Sequence, residues 1–227
     1  MTATGKVVCI IQCRMSSSRL PRKAMLDLCG KSLIERVIAR CRQSAAIDEL
    51  VVATSTQPED ELIELVCSRN NVRCFRGDLA DVRSRYLRLA RSLAADIVVR
   101  VTADNPMTEP VYIDQLVEYV RKHPDVAYAI MDKKLIPLGT GSEVFRAWAL
   151  FESAARFAEL EDLEHVTPSV RKAYPVAELT PPEELLLEGD SVGIDTFEDY
   201  FQVYRIFATY GDDRNILRNH IRDRRRA

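Results

Sequence analysis

Between residues 13 and 23 the chain reads CRMSSSRLPRK, so Arg14, Arg19, Arg22 and Lys23 are interleaved with Ser16, Ser17 and Ser18. A loop of this composition can wrap a polyphosphate, its hydroxyls and backbone N–H groups donating hydrogen bonds while its cations supply counter-charge. A solvated surface loop would have the same composition. What favours binding is position: the loop follows the apolar run at 6–12, and open α/β sheets bind ligands outside the carboxyl ends of their strands. Neither G-x-x-x-x-G-K-[ST] nor G-x-G-x-x-G occurs. A second segment, RVTADNP at 100–106, puts Asp104 at the tip of another strand-like run. A carboxylate there can hold a hard cation such as Mg²⁺ against phosphates. Asp104 and Asn105 before Pro106 fit an Asx turn as well. Asp195, also at a strand end, can supply a second carboxylate or cap the helix that follows.

The elements that must position these groups alternate in type. Apolar runs of strand length at 6–12, 50–54, 72–75, 96–102 and 126–130 are separated by amphipathic stretches with apolar residues three and four apart, at 33–41, 58–66, 79–94 and 111–123. Alternation of this kind specifies an α/β fold with a mostly parallel sheet and helices on both faces. The run at 96–102, richest in β-branched residues, is expected near the sheet centre. Further on, short strands are expected at 142–145, 176–180 and 191–194, and helices at 147–158, 163–173 and 198–210, with Asp195 and Thr196 as capping residues. Residues 1–227 are read as one domain, with a small β-containing elaboration at about 131–190. His123 and His220 are expected on helix surfaces, and the basic C-terminal helix is read as a solvated face.

Composition removes several classes. The chain has 227 residues, 47% of them hydrophobic, and 32 Lys plus Arg balance 34 Asp plus Glu for a net charge of −2. That excludes disorder and argues against a general nucleic-acid binder, which needs a basic surface. The apolar run at 7–11 is far shorter than the roughly 20 residues of a membrane helix. With no secretory signal ahead of it, a cytoplasmic protein is expected. Six cysteines lack C-x-x-C or zinc-ligand spacing and are read as reduced, mostly buried thiols.

Residues 10–33, IIQCRMSSSRLPRKAMLDLCGKSL, resemble the opening of the cytidylyltransferases that make CMP-activated acidic sugars, in particular the branch named after spore coat polysaccharide biosynthesis protein F. The resemblance runs on through VVATS at 51–55, FRGD at 75–78, VRVTADNP at 99–106, GSEVF at 141–145, EHVTP at 164–168 and GIDTFED at 193–199. It implies a nucleotidyltransferase fold of the GT-A, Rossmann-like type, a homodimer, and transfer of CMP from CTP to a small acidic acceptor with release of pyrophosphate. By the same resemblance Arg14, Lys23 and Asp104 are catalytic. Gln12, Ser17, Arg19, Arg100 and Thr102, with Arg14 and Lys23, bind the nucleotide, and Asp104 and Asp195 hold Mg²⁺. Arg22, Arg85, Glu143 and His165 face the acceptor.

The sequence departs from the family pattern at Arg22, where R-L-P-G-K has glycine, at Ser16 and Ala103, also expected as glycine, at Gly141, expected acidic, and at Leu163, expected as arginine. Loss of the carboxylate at 141 and the cation at 163 implies a remodelled acceptor pocket. Arg22 adds a cation compatible with a more anionic acceptor such as a phosphonate or dicarboxylate. Two other functions share the architecture: a GT-A glycosyltransferase consuming a nucleotide sugar, and a nucleotide-binding homologue without catalysis.

Overall fold

A computed structural model describes residues 5–157 and 160–226. The run after Lys6 forms β1 (Val7–Gln12), which is followed by α1 (Leu33–Cys41), β2 (Glu49–Ser55), α2 (Glu61–Arg69), β3 (Arg73–Gly77), α3 (Val82–Ser92), β4 (Ile97–Thr102) and α4 (Pro110–Lys122). The second half contains β5 (Tyr128–Met131), β6 (Glu143–Arg146), α5 (Ala147–Arg156), α6 (Leu160–His165), α7 (Pro168–Ala173), β7 (Val176–Leu179), α8 (Phe197–Tyr210) and α9 (Ile216–Arg224). The strands form one sheet in the order β3-β2-β1-β4-β6-β5-β7. β1 to β4 are parallel, with β1 between β2 and β4, and β6 alone runs against its neighbours β4 and β5. The expected elaboration thus contributes strands to the main sheet.

Residues Val7 to Ile11 are fully buried because helices cover both faces of β1. Successive side chains on a strand point to opposite faces. Val7, Cys9 and Ile11 accordingly pack with Leu33 of α1, Tyr112 of α4 and Val203 of α8, while Val8 and Ile10 pack with Leu89 of α3, Leu150 of α5 and Val170 of α7. All six cysteines are free, four of them buried and Cys29 and Cys74 partly so. Among the described residues no helix is long and apolar enough to cross a membrane.

Several expectations are corrected. Residues 191–194 form no strand; Ser191 makes an isolated bridge to Leu138. Here Val192 N–H donates to Leu138 O at 2.7 Å and Ile194 N–H to Asp104 O at 2.9 Å, so the segment is extended but split between two loops rather than laid along a ladder. The helix expected at 163–173 is two, α6 and α7, broken where Val166 turns into left-handed backbone (φ 69°); Thr167 then caps α7, and Pro168 takes its first position, where a missing N–H costs no helical bond. His220 lies inside rather than on the surface, its Nε2 2.8 Å from the Asp190 carboxylate. The basic tail is likewise engaged: Arg218 pairs with Glu184, and Arg225 donates to the carbonyls of Glu183 and Leu186. The helix expected at 147–158 ends at Arg156, and residue 158 lies outside the described residues.

Candidate active site

The polar loop after β1 is built on two backbone anchors. Cys13 N–H donates to Ala53 O of β2 at 3.1 Å, and Met15 N–H donates to the buried Asp60 carboxylate at 2.8 Å. Asp60 also accepts from the backbone N–H and hydroxyl of Ser55, so one carboxylate ties the loop to the end of β2. Met15 O then accepts from Ser17 N–H and Arg22 N–H, which closes the loop into a compact turn. Arg22 sits in left-handed backbone at φ 60°, ψ 22°, immediately before a 3-10 turn at Lys23–Met25. Glycine adopts that conformation without steric cost, which accounts for its place in the related motif.

This turn aims Lys23 back under the loop. Its ammonium donates at 2.9 Å each to Asp104 Oδ2, Asp195 Oδ1 and the Ile194 carbonyl. The two carboxylates come from distant parts of the chain, and the Ile194–Asp104 backbone bond fastens their segments together. Asp104 follows β4 in a turn closed by Asn105, whose amide donates to Thr102 Oγ1 at 2.9 Å. The N-cap of α8 is Thr196 rather than Asp195: Thr196 Oγ1 accepts from Asp199 N–H, and Asp199 accepts from the N–H groups of Thr196 and Asp195. The Asp195 carboxylate is thereby free for Lys23 and for Arg19, which pairs with it at 2.9 Å.

Above these groups lies a cavity of about 290 Å³. Gln12, Arg14, Ser17, Arg19, Lys23, Arg85, Arg100, Thr102, Asp104, His165 and Asp195 all line it, so most of the expected site converges on one space. Arg22 does not; it is exposed on the outside of the loop. Arg85 borders the cavity, but its guanidinium is committed to the carbonyls of Ala53, Asp78 and Leu79. Glu143 stands outside, behind Arg100, accepting from it at 2.9 Å and from the Thr167 hydroxyl at 2.7 Å. Gln12 accepts from Arg100 Nε at 3.0 Å, so Arg100 is aligned from two sides. Burial opposes the Arg100 charge, but the Glu143 carboxylate together with Tyr86, Tyr128 and Asp104 outweighs it and holds the pKa above its ordinary value. Cys13 lines the cavity as an un-ionised thiol: burial, then the nearby Asp60 and Asp104 carboxylates, push its pKa up. That removes it as a nucleophile.

Four contributors escaped the sequence reading. Asp60 is one; its signal was a serine and an aspartate closing a strand and opening a helix. Glu164 pairs with Arg14 at 3.1 Å, Thr167 holds Glu143, and the Tyr86 hydroxyl donates to Ile10 O beneath Gln12. Among the described residues no group of three or more His, Cys, Asp or Glu is arranged to hold a metal by itself. Asp104 and Asp195 suit instead a hard cation that draws its other oxygens from phosphates and water, the usual mode for Mg²⁺.

The family pattern described as cytidylyltransferase matches residues 8–214. Spore coat polysaccharide biosynthesis protein SpsF of Bacillus subtilis is 32% identical over 216 residues, covering 91% of this chain and 88% of that protein. A cytidylyltransferase from Leptospira borgpetersenii superposes with a TM-score of 0.88 at 25% identity, over 97% of this chain and 95% of that one. The CMP:2-keto-3-deoxy-manno-octonic acid synthetase complexed with CTP shares the fold, with a TM-score of 0.72 at 20% identity over 90% of this chain and 99% of that one. With the converging loop and carboxylates, these likenesses identify the chain as a member of the cytidylyltransferase family, enzymes of CTP-dependent nucleotidyl transfer.

Proposed function

We propose that the chain transfers CMP from CTP to a small acidic acceptor, with Asp104 and Asp195 holding Mg²⁺ and the 290 Å³ cavity receiving the nucleotide. The observation that carries this is the Lys23 ammonium held 2.9 Å from both Asp104 and Asp195 beneath a loop bearing Arg14, Ser17 and Arg19. Phosphoryl-type transfer needs charge neutralisation and in-line placement more than covalent chemistry from the protein. Lys23 and Arg14 neutralise the α-phosphate and the leaving pyrophosphate, and Ser17 and Arg19 support its outer end. Gln12, Arg100 and Thr102 flank the nucleoside, and His165 stands toward the acceptor. The bound cation adds positive charge where the phosphate oxygens gain negative charge. One bond forms between an acceptor oxygen and the α-phosphorus while the α–β bridge breaks. Pyrophosphate leaves with that electron pair, and a proton on an attacking hydroxyl passes to solvent.

Pyrophosphate release from CTP and Mg²⁺ against a panel of acids tests the reading. Lys23→Ala and Asp104→Ala each remove a group that acts on developing charge, so each folded variant should lose roughly a hundredfold or more in kcat, about 2.7 kcal/mol. Normal turnover in either would end the assignment.

A further inference from the structure

Beside the nucleotide cavity, across Arg100 and Thr102, lies a second one of about 140 Å³ at the carboxyl ends of β4 and β5. Its walls differ in character from those of the first. Ile130, Met131 and Ile136 are buried and give it an apolar lining, and the exposed Leu138 stands at its edge. The one carboxylate on it, Glu143, has both oxygens engaged, by Arg100 and by Thr167. Lys133 is exposed on its wall, and among the described residues that ammonium has no ion-pair partner. Ser142 also lines it, 6% exposed, with a buried hydroxyl that finds no hydrogen-bond partner among the described residues. Buried hydroxyls are nearly always paired, so an orphan on a cavity wall marks a place where a ligand or water completes the structure.

Gly141 connects this cavity to the sequence. It lines the cavity and carries no side chain into it. A Cβ on Gly141 would lie 3.2 Å from Ile136 Cδ1, so any side chain there would crowd the apolar wall. Glycine leaves that wall bare and removes an acceptor for sugar hydroxyls.

We infer that this second cavity seats the acceptor, and that it selects a short acid bearing an alkyl segment over a polyhydroxylated sugar acid. This rests on the cytidylyl-transfer reading above. The acid's anion pairs with Lys133, its alkyl part lies on Ile136 and Met131, and one polar atom meets the Ser142 hydroxyl. An acceptor of a few carbons seated there presents an oxygen at the Arg100–Thr102 boundary, toward Asp104. A sugar acid would press hydroxyls against the Ile130, Met131 and Ile136 side of the cavity, which has no partner for them, and each such loss costs roughly tenfold in affinity, the equivalent of about 1.4 kcal/mol. Carboxylates and phosphonates share the chemistry that Lys133 recognises, so both are tested.

Pyrophosphate release from CTP and Mg²⁺ is measured on the full chain with 2-hydroxybutanoate, its phosphonate counterpart 1-hydroxypropylphosphonate, and an eight-carbon ulosonic acid. At least one alkyl acid should exceed the ulosonic acid tenfold or more in kcat/KM, and the better of the two identifies the anion. Gly141→Asp should erase that preference. Lys133→Ala, on the surface and safe for folding, should lower kcat/KM for the alkyl acids about tenfold and leave the KM for CTP unchanged. Preference for the ulosonic acid in the wild type, or an unchanged preference in both variants, overturns the inference. Silence with all three acids overturns it too, and calorimetry with CTP then separates the causes. CTP binding that Lys23→Ala weakens leaves the nucleotide reading standing, whereas no CTP binding removes both.

Discussion

Replacing Asp60 by Asn isolates the tether beneath the polar loop that follows β1. The carboxylate is 1% exposed and accepts from Met15 N–H at 2.8 Å, from Ser55 N–H at 3.0 Å and from the Ser55 hydroxyl. An amide of the same shape has one acceptor oxygen, so its NH₂ must face one of the two backbone N–H groups and leave it unpaired. The serine hydroxyl can rotate to accept, but the backbone cannot. An orphaned buried donor costs roughly 1–3 kcal/mol, and each remaining bond to a neutral acceptor is about 1 kcal/mol weaker than one to a carboxylate. The easier burial of a neutral group offsets part of this, leaving about 3 kcal/mol. In a chain of this length that lowers Tm by roughly 6–12 °C. Since CTP must reorder a loosened loop, its KM should rise about tenfold, with kcat nearly preserved at saturation. Asp114→Asn is the control, because Asp114 of α4 likewise accepts from a serine hydroxyl and a backbone N–H, those of Ser44 and Ala46 in the connection that enters β2, away from the loop. Thermal melts and initial rates on both proteins decide the matter. If Asp60→Asn leaves the KM for CTP unchanged, or if Asp114→Asn raises it equally, the loop does not depend on this tether.

Arg22→Gly relieves left-handed backbone worth about 1–2 kcal/mol in a non-glycine residue, partly offset by about 0.4–1 kcal/mol of added freedom in the unfolded chain. Tm should rise by about 2 °C with acceptor preference unchanged; a changed preference would return Arg22 to the acceptor site. Burial opposes the Asp199 charge, but the N–H groups of Thr196 and Asp195 prevail and hold its pKa below the ordinary value. Its contribution is therefore complete above the unfolded pKa of about 4 and disappears as pH falls through the lower folded value. Melting curves across that acid limb should flatten in Asp199→Asn, and an unaltered slope would contradict the capping account. Light scattering should give twice the 25.8 kDa chain mass if the chain is the homodimer its relatives lead one to expect.

The parallel half of the sheet was legible because β1, β2 and β4 are short, mostly apolar runs rich in β-branched residues, the composition of strands buried on both faces. The candidate site was legible where position is local: Arg14, Arg19, Lys23 and Asp104 follow strand ends and line one cavity, although Arg22 of the same loop does not. What the sequence hid were long-range commitments. Val192 and Ile194 have the alternation of a strand, yet their N–H groups serve Leu138 and Asp104 separately. Arg85 looks like a free cation until the Ala53 carbonyl of β2 and the carbonyls of Asp78 and Leu79 claim the guanidinium. His220 sits in a basic, solvent-like helix, and only the return of residue 190 beside it explains its burial. Val166 interrupts a helix that its neighbours would otherwise continue, and the break lets Thr167 reach Glu143.

The arrangement of Lys23 also bears on how the enzyme behaves in a cell crowded with phosphate. Without nucleotide its ammonium rests against two carboxylates and a carbonyl, and Arg19 shares one of them. An anion arriving alone must pull these cations from partners already at 2.9 Å, whereas one arriving with a divalent cation replaces them, charge for charge. On the proposed reading the pocket should therefore resist orthophosphate and metal-free pyrophosphate and admit a nucleotide that carries its divalent cation. Product inhibition by pyrophosphate should follow free magnesium rather than total pyrophosphate.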